Sequence, residues 1–252
     1  MVERILGKDE VTGSIPVISS KSCTDGCRIF VLNRLYINKV ITLETYLFDF
    51  DGTLVDSMPT YVASMLSILD DSGISYGNDI IKTITPLGVI GTAEYYTENL
   101  GLKKSKEEII EMMKQHMAEA YFYSIPAKEN VIPVLKELKK RGASLNVLTA
   151  SPHITLDACL KRLGIYDVFD NVWSCNDFNT VKSNPQIYIS ACKLLGKNPN
   201  EVLFLDDNVN AVSAAKKSGM KTCGVYDDSS KDLVNEMKST ADGYIYDFSE
   251  LL

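Results

Sequence analysis

Two aspartates lie one residue apart in the segment LFDFDGTLVDS, which runs from Leu47 to Ser57. Asp49 and Asp51 directly follow a short apolar run of the kind that forms a buried strand. A carboxylate is ionised at neutral pH, so it can act as a nucleophile without a general base, and paired carboxylates also bind Mg²⁺. Such a pair alone is more often a cap or a turn, so the rest of the chain must decide between these interpretations.

Three further groups of polar residues lie where other predicted strands end or where a helix begins. Thr149 and Ala150 end the segment SLNVLTA, Lys182 precedes the helical segment NPQIYISACKLLG, and Asp206 and Asp207 end EVLFLDD. Because the carboxyl ends of parallel strands meet at one edge of a sheet, we expect all of these residues to surround one crevice. Carboxylates suit a divalent cation, while a hydroxyl, backbone N–H groups and an ammonium suit phosphate.

Strands alternate with helices of about 10–15 residues along most of the chain, which predicts βαβ units and a parallel sheet. The predicted fold class is α/β, with a Rossmann-like parallel sheet and helices on both of its faces. The strand candidates are TYLFDF, SLNVLTA, DNVWSC, EVLFLDD, KTCGVY and GYIYDF.

An all-helical stretch, residues 58–125, interrupts this alternation after the first strand and predicts an inserted cap domain. The core domain then comprises residues 44–57 and 126–252. Ser57 is the expected N-cap of the first cap helix, and Ser105 with Glu108 has the spacing of a capping box. Four cap residues are candidates to face the crevice, although the two tyrosines suit helix packing better: Thr92, Glu94, Tyr95 and Tyr96.

Residues 1–43 differ from the rest of the chain, since VTGSIPVISSKSCTDG is rich in Ser, Gly, Thr and Pro and has no period. We expect an atypical, poorly ordered extension, with RIFVLNRLYINKVI as a short strand or helix and a native start near residue 40. Cys23 and Cys27 have the spacing of half a zinc site, but no matching Cys/His pair follows, so a zinc site is rejected.

The composition narrows the range of partners. The 252 residues carry a net charge of −7, which argues against nucleic acid or an anionic membrane as a partner. No run approaches the roughly 20 apolar residues that span a bilayer, and the N-terminus lacks the apolar core of a signal peptide. The 6 cysteines form no CxxC pair, so we expect reduced thiols and a cytoplasmic protein.

Taken together, the motifs resemble the haloacid dehalogenase-like superfamily, in its phosphatase branch with a helical cap inserted after the first strand. The resemblance covers about residues 44–252 and rests on DFDGTLVDS, on LTAS, on Lys182 with the following Asn184-Pro185, and on FLDDNVNAVSAAKKSGM. One departure is that Ser183 and Asn184 stand where Pro-Asp is more usual.

The resemblance implies a two-step phosphoryl transfer. Asp49 attacks phosphorus and forms an aspartyl-phosphate, while Asp51 protonates the leaving alcohol and then deprotonates the hydrolytic water. Thr149 and the Ala150 N–H hold the phosphoryl oxygens, and Lys182 steadies both the nucleophile and the phosphate. Lys182 would thus supply the local positive charge that an acidic protein needs for an anionic substrate.

The resemblance also implies Mg²⁺ as the cofactor. Its expected ligands are the Asp49 carboxylate, the Asp51 main-chain carbonyl, Asp207, and Asp206 either directly or through water. The expected substrate is a small phosphorylated metabolite such as a sugar phosphate or phosphoglycolate.

Two other functions stay open. A sugar-phosphate mutase of the beta-phosphoglucomutase type would keep both aspartates and a similar cap, and a non-catalytic binding protein could use the same fold. Asp51 favours phosphomonoester turnover, since relatives without an alcohol to protonate lack the second aspartate. The sequence carries no signal for an oligomeric state.

Overall fold

The structure is a computed structural model, and it describes residues 44–77 and 79–252. The predicted extension of residues 1–43, with its cysteine pair and its possible short strand or helix, lies outside the described residues.

Six parallel strands form one sheet in the order β3-β2-β1-β4-β5-β6. Each of the six predicted strand segments contributes one of them, so the predicted parallel α/β sheet is confirmed. The chain builds one half of the sheet outward from β1 and then the other half outward from β4, which creates a crevice at the carboxyl ends of these two strands. The strands are β1 (Thr45–Phe48), β2 (Ser144–Thr149), β3 (Asn171–Ser174), β4 (Val202–Asp206), β5 (Lys221–Val225) and β6 (Gly243–Ile245).

Helices follow the strands and cover both faces of the sheet. Tyr46 and Phe48 of β1 belong to a core cluster on one face, while Leu47 belongs to the cluster on the other face, as the alternation of side chains along a strand requires. The helices are α1 (Met58–Asp71), α2 (Ile80–Ile84), α3 (Gly88–Glu98), α4 (Lys106–Tyr123), α5 (Val131–Lys140), α6 (His153–Arg162), α7 (Gln186–Leu195), α8 (Val209–Lys217) and α9 (Val234–Thr240).

Helices α1 to α4 lie between β1 and α5 and form a cap with its own apolar core. Ile109 and Met113 of α4 are fully buried in that core. The predicted capping box forms, because Ser105 Oγ accepts a hydrogen bond from Glu108 N and the Glu108 carboxylate accepts one from Ser105 N. Ser57 precedes α1 as predicted, but its side chain makes no capping hydrogen bond.

The two linkers that join cap and core run side by side. Asp56 N donates to Pro126 O at 3.0 Å, Lys128 N donates to Leu54 O at 3.0 Å, and Val55 forms an antiparallel bridge with residue 127. The cap therefore leaves and re-enters the core at one point.

The sequence also predicts reduced cysteines and no segment long enough to span a bilayer. Four cysteines in the described part of the chain are free and buried: Cys159, Cys175, Cys192 and Cys223. Among the described residues, none of the helices combines the length and apolar character that crossing a membrane requires.

Candidate active site

Three carboxylates meet at the carboxyl ends of β1 and β4. The two strands are parallel neighbours with Phe48 opposite Leu205, so Asp49 and Asp206 emerge from the sheet side by side. Oxygens of Asp49, Asp206 and Asp207 all lie within 4.8 Å of one another. Asp49 is 4% exposed and Asp206 is fully buried, so water screens their mutual repulsion poorly.

One ammonium group lies within this cluster. Lys182 Nζ is 2.7 Å from Asp49 Oδ1 and 2.6 Å from Asp206 Oδ2. Burial opposes the charge on Lys182, but the Asp206 and Asp49 carboxylates outweigh it and raise its pKa well above the ordinary value. Lys182 is therefore a fixed positive charge beside Asp49.

Two carboxyl groups of the cluster have raised pKa values. Burial, with further repulsion from Asp206 and Asp207, raises the pKa of Asp49 well above its ordinary value despite Lys182. Burial and the Asp206 carboxylate likewise raise the pKa of Asp207 to about 7. A set of close oxygen ligands with excess negative charge is what a hard divalent cation requires, so the donor set fits Mg²⁺.

The turn after Asp51 brings the first motif against Asp207. Gly52 has φ of 71°, and a Cβ at this position would lie 2.5 Å from Asp207 Oδ2, so only glycine fits. Thr53 Oγ1 donates to Asp207 Oδ1 at 2.9 Å and accepts from Asp207 N at 3.2 Å. The fully buried Thr53 thus fixes one of the three carboxylates, a contact that the sequence analysis did not predict.

The Asp51 carboxyl group accepts hydrogen bonds from two side chains outside the carboxylate cluster. Tyr121 of α4 donates its hydroxyl to Asp51 Oδ1 at 2.5 Å, and Ser151 Oγ donates to Asp51 Oδ2 at 2.5 Å. Burial and the neighbouring Asp51 carboxylate raise the pKa of Tyr121, so the phenol stays protonated and remains a donor. Neither donor was predicted from the sequence, and the contact with Tyr121 joins residues 70 positions apart.

Thr149 and Ala150 follow β2, the strand on the other side of β1. The Thr149 side chain is buried, and its Oγ1 accepts a hydrogen bond from Ser151 N at 3.1 Å, which leaves its own proton for another acceptor. Ala150 is exposed at the same end of the sheet. Both residues therefore lie on the edge from which Asp49 emerges.

A second lysine, Lys128, lies beside the site, and the sequence analysis did not predict it. Lys128 Nζ donates to Gly52 O at 2.8 Å, to Tyr226 O at 2.5 Å and to Asp227 Oδ2 at 2.9 Å. Burial alone would raise the pKa of Asp227, but hydrogen bonds from Ser229 and Lys128 outweigh it and lower that pKa. Lys128 therefore ties the turn after Asp51 to the loop that follows β5.

A cavity of about 610 Å³ lies between the cap and the core, and Asp51 forms part of its wall. Residues of α1, α3 and α4 line its cap side. The expectation that Thr92 could face the crevice is wrong, because Thr92 is fully buried inside the cap and donates to Ile84 O. Tyr96 is also fully buried there and donates to Met65 O, which agrees with the helix packing that suited it better. Glu94 is exposed and forms an ion pair with Lys106. In this segment, the pattern of helix packing was a better guide than the presence of polar side chains.

Comparisons with known proteins identify the family of the chain. The model of the family described as haloacid dehalogenase-like hydrolase matches residues 46–225. Pyrophosphatase PpaX from Bacillus velezensis is 34% identical over 180 residues, which are 71% of this chain and 81% of PpaX.

Two solved structures share the fold. A protein from Thermotoga maritima, provisionally named beta-phosphoglucomutase, aligns with a TM-score of 0.72 at 22% identity over 83% of this chain and 97% of its own. YfnB from Bacillus subtilis, bound to magnesium, aligns with a TM-score of 0.70 at 15% identity over 83% and 96% of the two chains. The chain belongs to the haloacid dehalogenase-like hydrolases, in their phosphatase branch with a helical cap.

Proposed function

We propose that the protein is a Mg²⁺-dependent phosphomonoester hydrolase that acts on a small phosphorylated metabolite through an aspartyl-phosphate on Asp49. The observation that carries the proposal is that Asp49 and Asp51 lie in different environments although only one residue separates them in the sequence. Asp49 is buried against Lys182 and two further carboxylates, whereas Asp51 borders the cavity between cap and core. One carboxyl is thus suited to meet phosphorus and the other to meet the leaving group.

In the first step, a carboxylate oxygen of Asp49 forms a bond to phosphorus while the bond from phosphorus to the leaving oxygen breaks. Asp51 gives its proton to that leaving oxygen, so an alcohol departs. In the second step, Asp51 takes a proton from water, the water oxygen bonds to phosphorus, and the Asp49–phosphorus bond breaks. The net reaction converts a phosphate monoester and water into an alcohol and inorganic phosphate.

The remaining residues are assigned to positioning the phosphate. The Thr149 hydroxyl and the Ala150 N–H would donate to phosphoryl oxygens, and Lys182 would attract the same anion while holding Asp49 in place. Asp49, Asp206, Asp207 and the main-chain carbonyl of Asp51 are the proposed metal ligands. Bound Mg²⁺ supplies charge neutralisation, which reduces the repulsion between a carboxylate and a phosphate dianion.

The decisive variant is Asp49→Asn, which keeps the size of the side chain and removes the nucleophile. We expect phosphate release from p-nitrophenyl phosphate with Mg²⁺ to fall by more than roughly 10³-fold, because no covalent intermediate can form. Asp167→Asn is the matched control, since Asp167 is exposed on the core surface. Equal rates for wild type and Asp49→Asn would contradict the proposal.

A second assay, with a hexose phosphate as the substrate, separates hydrolysis from a mutase reaction. A mutase would convert a hexose phosphate into an isomer without releasing stoichiometric phosphate, whereas a hydrolase releases one phosphate for each alcohol formed. Quantifying free phosphate and the isomeric sugar phosphate in the same reaction therefore distinguishes the two functions.

A further inference from the structure

The cavity beside Asp51 is where a leaving group would be bound if the proposed phosphatase function is correct. It is bounded by α1 and α4 of the cap and by the beginning of α6 of the core. Lys182 and the three clustered carboxylates do not line it, so the phosphate site and the cavity meet at Asp51. The composition of its walls should therefore match the alcohol part of the substrate rather than the phosphate.

Apolar side chains form most of these walls. They come from both domains and include Met58, Tyr61, Val89, Met117, Ala118 and Ile154. Ile154 is 72% exposed although it is a large apolar residue at the mouth of a cavity. An exposed apolar side chain in such a place gains free energy when a ligand covers it.

Three of the hydroxyl groups near Asp51 already donate hydrogen bonds within the protein. The Tyr121 and Ser151 hydroxyls both donate to Asp51, and Thr155 Oγ1 donates to Pro152 O at 3.1 Å. Ser57 also lines the cavity but is 1% exposed. Glu111 and Gln115 also line the cavity, but both are exposed to solvent. A sugar needs a polar partner for most of its hydroxyl groups when it is buried, and the buried part of the wall offers few.

The cavity also lacks the charge that a second phosphate would need. Lys114 is the one cation among the residues that line it. Its side chain is 65% exposed, and its Nζ lies 4.0 Å from a Glu111 carboxylate oxygen. A solvated lysine beside a glutamate is a weak site for a second anionic group, so the cavity does not favour pyrophosphate or a bisphosphate.

We propose that the substrate is a phosphate monoester of an apolar alcohol, whose alkyl or aryl group fills the cavity between α1, α4 and the first turn of α6. The proposal rests on the phosphatase function proposed above and narrows its substrate class. The reaction remains the hydrolysis described there, with the proton of Asp51 passing to the oxygen of the apolar alcohol.

The test is a chain-length series of ethyl, butyl and hexyl phosphate, with glycerol 1-phosphate, glucose 6-phosphate and pyrophosphate for comparison. The alkyl phosphates, glycerol 1-phosphate and glucose 6-phosphate are all esters of primary alcohols, so their chemical reactivity is closely matched. We expect kcat/KM with Mg²⁺ to rise by about two- to fourfold for each added methylene, mainly through KM. Hexyl phosphate should exceed the two polar monoesters and pyrophosphate by at least about tenfold.

The variant Ile154→Gln tests the cavity wall without touching the proposed catalytic groups. It should flatten the chain-length series, because a polar side chain in this wall no longer favours a longer alkyl group. Leu194→Gln is the matched control, because Leu194 is also a largely exposed apolar residue but does not line the cavity. Thermal unfolding of both variants checks that each is folded.

The outcomes separate the two proposals. A flat or falling series, or a preference for glycerol 1-phosphate, glucose 6-phosphate or pyrophosphate by an active enzyme, overturns the apolar substrate and leaves the phosphatase function standing. Failure to release phosphate from any of these compounds or from p-nitrophenyl phosphate overturns both.

Discussion

Asp51 is held by two donors that come from distant parts of the chain. Tyr121 belongs to the cap and Ser151 to the loop after β2, and each donates to a different oxygen of the carboxyl group. Two donors on opposite oxygens fix the plane of the carboxyl group, and a group that transfers a proton to a leaving oxygen depends on such positioning. The cap therefore contributes directly to the geometry of Asp51.

Tyr121→Phe removes one of these donors with little change in volume. We expect kcat to fall by about 10- to 100-fold with a small change in KM, because a hydrogen bond to a charged group contributes roughly 1.5–3 kcal/mol. Steady-state kinetics on one phosphate monoester provides the measurement. Tyr123→Phe, two residues further along α4 and exposed, is the control, and equal losses in both variants would refute the role given to Tyr121.

The sequence predicted the residues that its motifs contain but not the residues that support them. Asp49 and Asp206 could be brought together because each follows a predicted strand of a parallel sheet. Thr53, Tyr121 and Lys128 support the site through contacts with residues 70 to 154 positions away. Such contacts leave no local pattern, since they depend on how the cap and the loops pack.

At the scale of elements, Lys128 joins three segments around the site. Its ammonium bonds to the turn after β1 and to the loop after β5, and its own segment leads from the cap back into α5. The side chain of Asp227 is 4% exposed, so it depends on this lysine for much of its charge compensation. Removing one partner of a buried pair leaves the other uncompensated.

Lys128→Met should lower the free energy of unfolding by about 3–5 kcal/mol, because Asp227 would remain buried without its cation. Urea denaturation followed by circular dichroism measures the change. Lys136→Met on the exposed surface of α5 is the control and should change stability by less than about 0.5 kcal/mol. A loss as small as that of the control would show that the pair contributes little.

Helices with a strong hydrophobic period or clear capping residues could be predicted from the sequence, whereas short helices without these features could not. The helix α4 has a capping box and eighteen residues of helical pattern, so its start was predictable. Helix α2 has only five residues, of which four are Ile or Thr, and these β-branched residues do not favour a helix. Its conformation is set by packing within the cap, which contains both Ile80 and Ile84.

At the scale of the whole molecule, the site concentrates negative charge in a chain that already carries a net charge of −7. Without a bound cation, folding raises the pKa of Asp207 from 3.8 to about 7. A carboxyl group whose pKa is raised by folding destabilises the folded state as the pH rises from the unfolded value to the folded value. The metal-free protein should thus lose stability in this range.

We expect the unfolding temperature in EDTA to fall between about pH 4 and pH 7, and Mg²⁺ to raise it most at the upper end, where protons no longer compete for the carboxylates. At 100 times the dissociation constant the rise should be about 5–10 °C. Asp207→Asn should weaken both effects, whereas Asp232→Asn at an exposed position should not. A Mg²⁺ effect independent of pH would argue against the cluster as its origin.

The pairing of the two linkers determines how the cap can vary during evolution. Residues Val55 and Ala127 face each other across an antiparallel bridge, where paired backbones lie about 4.5–5.5 Å apart. Everything between them is an insertion that begins and ends at one position. Its length and sequence can change without altering the register of any strand, but Tyr121 lies within it and donates to Asp51. The specificity of such an enzyme can therefore diverge as a module only while a donor to Asp51 is kept.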